Sequence, residues 1–573
     1  MSAIDRAVDR VVQSGEVTLS VREWSDPTVG PTVVLVHGYP DNKNVWTPVA
    51  ELLAPTHHVV AYDVRGAGQS TAPRSTSGYR FEHLVADLGA VLDATSPDRP
   101  VHLVGHDWGS IQSWEAVTCG DLDGRIASFT SMSGPSFDHV GRWLRAHRTP
   151  RGVPKLLKQG VRSTYVAVFH LPLLAPTFWR LGGARLFSRA LARTEGVRTD
   201  ETWPGPTLAA DGAHGVRLYR ANTSSRLRRP RERHTDIPVQ LIVPKGDPYV
   251  TPALLDGLEA LAPGLYRRDV IGRHWIVRAH PDRVARWVAE HVEAAEAGDP
   301  PAARRSVVVV TGAGSGIGRE TALAFAESGA HIVAVDINAD AAARTAELCT
   351  VLGGTAEDHA LDVGDAAAME ALAKAVGDAH GAPDVVVNNA GIGMAGPLLD
   401  TTVDDWERVL HVNLWGVVHG CRLFAAQMVA RGEGGHIVNT ASAAAFTPSR
   451  TYGAYATSKA AVLMLTECLR AELASQGIGV TAICPGIVDT GIIAATRFVG
   501  TSDDEQARRR TNTAKLYRLR GFTPDKVAAA IVKAVARDTA VVPVAADAHV
   551  GLFANRFLPG AARRFARLDL SPK

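Results

Sequence analysis

The chain has 573 residues, 46% of them hydrophobic and 21% charged, with a formal net charge of +2. That length exceeds what one core supports and predicts two domains of roughly 270 to 300 residues each. The composition is that of a globular protein, and the near-neutral charge excludes a generally basic, nucleic-acid-binding chain. The five cysteines, Cys119, Cys349, Cys421, Cys468 and Cys484, never fall in a C-x-x-C pattern. This argues against a disulfide framework or a zinc site, predicts no metal, and suits a reducing compartment. Residues 1–10 carry charges where a signal peptide needs an apolar core, and no 18-residue apolar run occurs. The expectation is a cytoplasmic chain without a membrane-spanning helix.

In chain order, residues 17–23 and 32–36 are strand-like, and the second runs into His37-Gly-Tyr-Pro40. A strand at 59–62 leads to Asp63-Val-Arg-Gly-Ala-Gly-Gln-Ser70, and one at 101–104 leads to Gly105-His-Asp-Trp-Gly109. Strands alternating with helical stretches predict an α/β fold with a mostly parallel sheet and chemistry at the strand ends. Gly105-x-Asp107-x-Gly109 has nucleophile-elbow spacing: the glycines permit a tight strand-to-helix turn, with backbone N–H groups beside its tip. A carboxylate at that tip, in place of the usual serine, attacks an sp3 carbon and leaves an ester. Strands at 239–243 and 266–271 are followed by Asp247 and by His274. The order nucleophile, acid, histidine is that of α/β-hydrolases, with Asp247 orienting His274 as base for the hydrolytic water.

On these motifs residues 1–292 resemble an α/β-hydrolase of the epoxide hydrolase type. The resemblance implies two tyrosines, in a helical lid over about 135–235, that hold and protonate the epoxide oxygen. Tyr165, in Tyr165-Val-Ala-Val-Phe-His-Leu-Pro172, and Tyr219, in Leu218-Tyr-Arg-Ala-Asn222, are similar to the two family segments. It also implies an oxyanion or substrate site at Tyr39 and Trp108. A haloalkane dehalogenase has the same aspartate, acid and histidine, with Trp108 as a halide donor. Its second donor is often an asparagine where this chain has Tyr39. The lid holds 17 Arg and 2 Lys against 6 acidic residues, beside the apolar stretch 171–179. That pattern predicts either a solvated face or a lid for a long apolar substrate bearing an acid, or for peripheral contact with an anionic membrane.

Residues 293–305 contain Gly298, Asp299, Pro300 and Pro301 and no large apolar side chain, so they are read as an extended linker. A buried strand from Ser306 then meets Thr311-Gly-Ala-Gly-Ser-Gly-Ile-Gly318, opening a nucleotide-binding domain over 306–573. Gly312, Ser315, Gly316, Ile317 and Gly318 form the turn that faces a pyrophosphate at a helix N-terminus. Asp336, at the end of the second strand, binds adenosine ribose hydroxyls and repels a 2′-phosphate, so NAD(H) is preferred, with NADP(H) as the alternative. Asp362 and Val363 are placed over the adenine. A fourth strand ends in Asn388-Asn389-Ala390-Gly391. Tyr455 and Lys459 sit at i and i+4 on one helix face, where the ammonium is expected to lower the phenol pKa. Tyr455 then exchanges a proton with a carbinol or carbonyl oxygen, and Ser442 hydrogen-bonds that oxygen.

This half resembles a short-chain dehydrogenase/reductase with a Rossmann-type doubly wound sheet. The resemblance implies Asn413 as the fourth catalytic residue, Lys459 on the nicotinamide ribose, and Pro485, Gly486, Val488 and Thr490 at the nicotinamide end. Residues 491–520 are read as a substrate loop. The basic, apolar tail from Leu552 predicts a dimer or domain contact, so a homo-oligomer. The whole chain reads as a bifunctional enzyme: epoxide hydrolysis to a vicinal diol, plus NAD(H)-dependent oxidation or reduction of an alcohol or ketone, on an apolar lipid-like substrate. The alternative from another class is a dehydrogenase carrying a non-catalytic, lipid-binding hydrolase-like module.

Overall fold

The computed structural model describes residues 7–150, 152–195, 197, 199–200, 202–298, 305–492 and 496–566. The chain divides into two compact units, Met1–Arg304 and Arg305–Lys573. The first holds strands β1 (Val8–Ser14), β2 (Val17–Glu23), β3 (Thr32–Val36), β4 (His58–Tyr62), β5 (Val101–His106), β6 (Ile126–Met132), β7 (Val239–Pro244) and β8 (Tyr266–Val270). They form one sheet in the order β1-β2-β4-β3-β5-β6-β7-β8, antiparallel at the first two pairings and parallel beyond. β3, β4, β5 and β7 are buried along their whole length, which is why they read as continuous apolar runs. The helices between β6 and β7, from Phe137–Ala146 to Leu208–Arg228, make the lid. Helix Pro281–Glu296 packs Val284, Trp287, Val288 and Val292 against the core. It takes in Glu293–Glu296, the first four residues of the expected linker, because Glu and Ala sustain a helix already held by that apolar face. Residues 299–304 of that linker lie outside the described residues.

The second unit contains β9 (Val307–Thr311), β10 (His331–Asp336), β11 (Thr355–Ala360), β12 (Val385–Asn388), β13 (Met394–Ala395), β14 (Gly435–Thr440), β15 (Ile478–Pro485), β16 (Arg497–Phe498) and β17 (Val541–Val544). Seven of them form a parallel sheet, β11-β10-β9-β12-β14-β15-β17, doubly wound outward from β9 and β12. Strand order reverses between β9 and β12, which opens a crevice beyond their C-terminal ends. The expected substrate loop is instead mostly helix Asp503–Arg520, with β16 paired to β13. Its Gln, Ala, Arg and Leu residues have high helix propensity, which is why the segment is helical. Residues 493–495 lie outside the described residues.

Candidate active sites

In the first unit the turn after β5 puts Asp107 at φ 52°, ψ −120°, a left-handed conformation for a residue with a side chain. Close packing forces the turn. A Cβ on Gly109 would lie 2.0 Å from the Val36 carbonyl oxygen, and one on Gly105 would lie 2.6 Å from Ser110 Cα. Asp107 is only 8% exposed. Its Oδ1 accepts the Tyr39 backbone N–H at 2.8 Å, and its Oδ2 lies 3.5 Å from His274 Nε2. His274 Nδ1 is 3.0 Å from Asp247 Oδ2, and Asp247 Oδ1 accepts the N–H groups of Tyr249 (2.7 Å) and Val250 (3.0 Å). The acid thus holds the imidazole tautomer that turns Nε2 toward Asp107. Burial acts to neutralise His274, but the Asp247 charge and the contacts with Asp107 win and raise its pKa to about 10. For Asp247, burial acts upward, and His274 with the two backbone donors brings the pKa below the usual carboxylate range.

The lid brings Tyr165 and Tyr219 together over this triad. Their ring centroids are 6.0 Å apart, and Tyr219 packs 4.8 Å from Trp108 and 5.5 Å from Tyr39. Burial first, and then neighbouring phenols and the Asp107 charge, raise the pKa values of both tyrosines, so both hydroxyls stay protonated. The residues flanking Tyr219 fix its helix. Arg220 donates to the carbonyls of Phe169 (2.7 Å) and Leu171 (2.8 Å) on the Tyr165 segment. Asn222 bonds Phe81 N–H and the Tyr79 carbonyl of the core. Trp108 Nε1 is buried, and its indole N–H acts on the Tyr219 hydroxyl, lowering a pKa that burial raises. Sequence reasoning missed Asp41, which accepts the indole N–H groups of Trp203 (2.8 Å) and Trp275 (2.9 Å), the latter next to His274. Its place just after His37-Gly-Tyr-Pro40 was the available signal.

In the second unit a cavity of about 480 Å³ opens at the C-terminal ends of the sheet. It is lined by Gly312, Ser315, Gly316, Ile317, Asp336, Asp362, Val363, Asn389, Ala390, Gly391, Ser442, Tyr455, Lys459, Pro485, Gly486, Val488 and Thr490. Gly318 is not in the lining. A Cβ there would meet the Gly312 carbonyl oxygen at 2.1 Å, so this glycine lets the turn fold onto its helix. Asp336 accepts Gly314 N–H (2.8 Å) and Asn338 N–H (2.9 Å) at the rim. Arg319, on the helix after the glycine turn, is occupied by the Gly314 carbonyl and Thr345, and Arg344 pairs with Glu347 at 2.8 Å. Asp362 accepts Gly364 N–H and lies 3.1 Å from His411 Nε2. Asn389 ties β12 to the glycine turn through Thr311.

Asn413 is also outside the lining. It sits fully buried in a π-helical turn, His411–Trp415, where it bonds Ile392 N–H (2.8 Å) and the Ile392 carbonyl (3.0 Å). It therefore braces the loop beside Gly391. Helix Gly453–Leu473 carries Tyr455 and Lys459. The expected lowering of the Tyr455 pKa is corrected here. Burial raises it, with only a hydrogen bond to Ser442 acting downward. Lys459 Nζ is 6.0 Å from the phenol ring centroid and donates to the Thr440 carbonyl at 2.8 Å, and burial lowers its own pKa to about 8. Desolvation outweighs a distant, already engaged ammonium. Asp547, missed in the sequence, accepts Ile487 N–H at 2.9 Å and backs Gly486, where a Cβ would meet its carboxylate.

A parallel-sheet fold with an aspartate elbow, joined to a doubly wound sheet with a Ser, Tyr, Lys set, defines an α/β-hydrolase fused to a short-chain dehydrogenase. The alpha/beta hydrolase fold family matches residues 31–281, and the short chain dehydrogenase family matches residues 306–497. "Probable oxidoreductase EphD" of Mycobacterium tuberculosis is 44% identical over 98% of both chains. The chain belongs to this family of hydrolase–dehydrogenase fusions, so it is an enzyme with a hydrolase-fold domain and an NAD(P)-dependent oxidoreductase domain. "Putative oxidoreductase SadH" of the same species is 36% identical over 42% of this chain and 87% of its own. A solved short chain dehydrogenase/reductase from Burkholderia phymatum, in complex with NAD, is 32% identical over 47% of this chain and 98% of its own, with a TM-score of 0.42. Among the described residues no helix is long and apolar enough to cross a membrane.

Proposed function

We propose that the first domain hydrolyses epoxides to vicinal diols and that the second oxidises or reduces an alcohol or ketone with NAD(H). The single observation that carries the first reading is the pairing of an elbow aspartate, 3.5 Å from a buried histidine, with two protonated lid phenols. Asp107 Oδ2 attacks an epoxide carbon, the C–O bond breaks, and a phenol gives its proton to the departing oxygen. Ester formation removes the Asp107 part of what raises the His274 pKa, leaving that of Asp247, so His274 becomes a stronger acid. His274 then releases its proton, which restores the phenol. The neutral imidazole takes a proton from water, and the hydroxide attacks the ester carbonyl. The resulting oxyanion is stabilised at Tyr39 N–H, where Oδ1 is already bound. Collapse returns the carboxylate, the diol and a protonated His274.

A second reading, dehalogenation, is favoured by one feature, the buried Trp108 indole N–H, whose neighbour is the Tyr219 hydroxyl of the lid. Tyr39 supplies no side-chain amide to complete a halide site, and its hydroxyl donates to the Gly212 carbonyl at 3.1 Å. A single-turnover reaction in oxygen-18 water decides between a working ester mechanism and a non-catalytic module. An unlabelled oxygen added to the first diol, with label entering the Asp107 carboxylate, supports the ester. Label in the first diol refutes it, and halide release without diol selects dehalogenation.

In the second domain the residues present fit NAD(H). Gly312 to Ile317 would hold the pyrophosphate, Asp336 the adenosine ribose, and Lys459 the nicotinamide ribose, and the bound nicotinamide would supply or accept the hydride. Tyr455 moves the hydroxyl proton, held by Ser442, and Asn413 keeps the loop at Gly391 in place. NAD is preferred over NADP because Asp336 is followed by Ile337, and Arg319 and Arg344, the flanking arginines in sequence, are both engaged. NADH and NADPH affinities, measured by fluorescence on the full chain, test this.

The lid is the docking surface for substrate-bearing membrane. Leu157, Val161, Leu173, Leu174, Phe178 and Leu181 are all at least half exposed. Lys155, Lys158, Arg180, Arg185, Arg189 and Arg193 stand exposed among them. Apolar side chains ringed by cations suit an anionic lipid surface. The exposed Phe553, Phe557 and Leu558 of the tail suit self-association of the dehydrogenase domain.

A further inference from the structure

At the opposite end of the dehydrogenase sheet from the cofactor cavity, three chemistry-bearing residues meet. His331 opens β10, Glu357 is the third residue of β11, and His380 ends helix Ala366–His380. The register pairs His331 with Thr355 and Val333 with Glu357. With a period of two, His331, Thr355, Glu357 and His359 therefore share one face of the sheet. The same helix covers that face with Met369, Leu372 and Val376, packed with Val333 and Val335. His380 follows Val376 by four residues, so it extends the covering stripe to the edge of the apolar layer.

One nitrogen or oxygen from each of His331, Glu357 and His380 lies within 4.8 Å of the other two. His380 Nε2 is 3.3 Å from Glu357 Oε2, and His359 Nε2 is 3.2 Å from Glu357 Oε1. Tetrahedral zinc with bonds of about 2.0–2.1 Å sets its ligand atoms roughly 3.4 Å apart, so little movement closes the set. A network of imidazole–carboxylate contacts alone does not account for His331. Its Nδ1 bonds Thr355 Oγ1 at 2.8 Å, yet its Nε2 is buried without a hydrogen-bond partner. An imidazole held through one nitrogen, with the other presented bare, is the arrangement of a metal-ligating histidine. The His331 and His380 rings lie side by side with centroids 4.1 Å apart. Arg305 also acts on His331 and opposes a cation, while Glu357 compensates one positive charge.

We propose that His331, Glu357 and His380 bind one divalent ion of the zinc class, with His359 or water as the fourth ligand. The ion ties edge strand β11 to β10 and to the end of helix Ala366–His380, stabilising the rim away from the cofactor.

The test uses tag-free full-length chain, stripped with chelator that is then removed. Cobalt(II) is titrated with visible absorption as the readout, and zinc with calorimetry and thermal melting. The expected result is one equivalent per chain, nitrogen-ligand cobalt bands, and a higher Tm for the dehydrogenase transition. His331→Gln and Glu357→Gln should each weaken binding by at least ~100-fold, more than the loss of an outer-shell partner does. NADH binding serves as the folding control for these variants. If one fails it, His359→Gln and the wild-type stoichiometry still decide. No saturable binding by the wild type overturns the proposal, as does unchanged binding by folded His331→Gln.

Discussion

Asp107 and His274 form a buried pair, Oδ2 to Nε2 3.5 Å, in which the Asp107 carboxylate adds to that of Asp247 in holding His274 protonated. Removing one member therefore has a defined chemical consequence. With His274→Gln, ring opening still occurs but the ester persists. Intact-protein mass spectrometry after mixing with a long-chain epoxide should find the chain heavier by one epoxide. Diol turnover should fall by roughly 10²–10⁴, the contribution of a positioned general base. Asp107→Asn should give neither adduct nor diol.

The same pair makes stability depend on pH. The folded His274 pKa of about 10 lies above the ordinary 6.5. The contribution of protonated His274, held chiefly by Asp247 and then by Asp107, is therefore complete below about pH 6.5 and is lost as pH rises through about 10. Urea midpoints of wild type and His274→Gln should differ most at pH 6.5 and converge toward pH 10. An equal gap at both ends would contradict the raised pKa.

For the dehydrogenase, burial lowers the Lys459 pKa to about 8, so its cation is lost near pH 8 rather than near 10.5. NADH affinity should weaken as pH rises through 8 in the wild type, and Lys459→Met should be weaker throughout with little such dependence. Fluorescence titration between pH 7 and 10 reads both. Tyr455→Phe should retain NADH binding, lose redox turnover, and leave diol formation untouched.

Asp336→Ala removes a charged acceptor from the cavity rim. Loss of a hydrogen bond to a charged group costs about 1.5–3 kcal/mol, so NADH binding should weaken by roughly 10–100-fold and NADPH binding should not. Calorimetry with both nucleotides checks the ratio.

The lid surface predicts cosedimentation with anionic vesicles that falls with added salt and is weak on neutral ones. Leu173→Ser with Leu181→Ser, both about 80% exposed, should reduce it while sparing hydrolysis of a short soluble epoxide.

What the sequence determined by itself was local. The Asp107 elbow, the glycine turn from Gly312, and the Tyr455–Lys459 face depend on allowed dihedrals and on helix or strand period, which a few adjacent residues specify. Tertiary structure decided what depends on desolvation and on contacts distant in the chain. It set the 3.0 Å link from Asp247 to His274, the meeting of Tyr165 with Tyr219, and the support of Gly486 by Asp547. It also reversed the sign expected for Tyr455, because burial of a phenol is a property of everything packed around it and a spacing of four residues carries none of that. The His331, Glu357 and His380 cluster was invisible for the same reason: strand register and helix end, not sequence spacing, bring its atoms together.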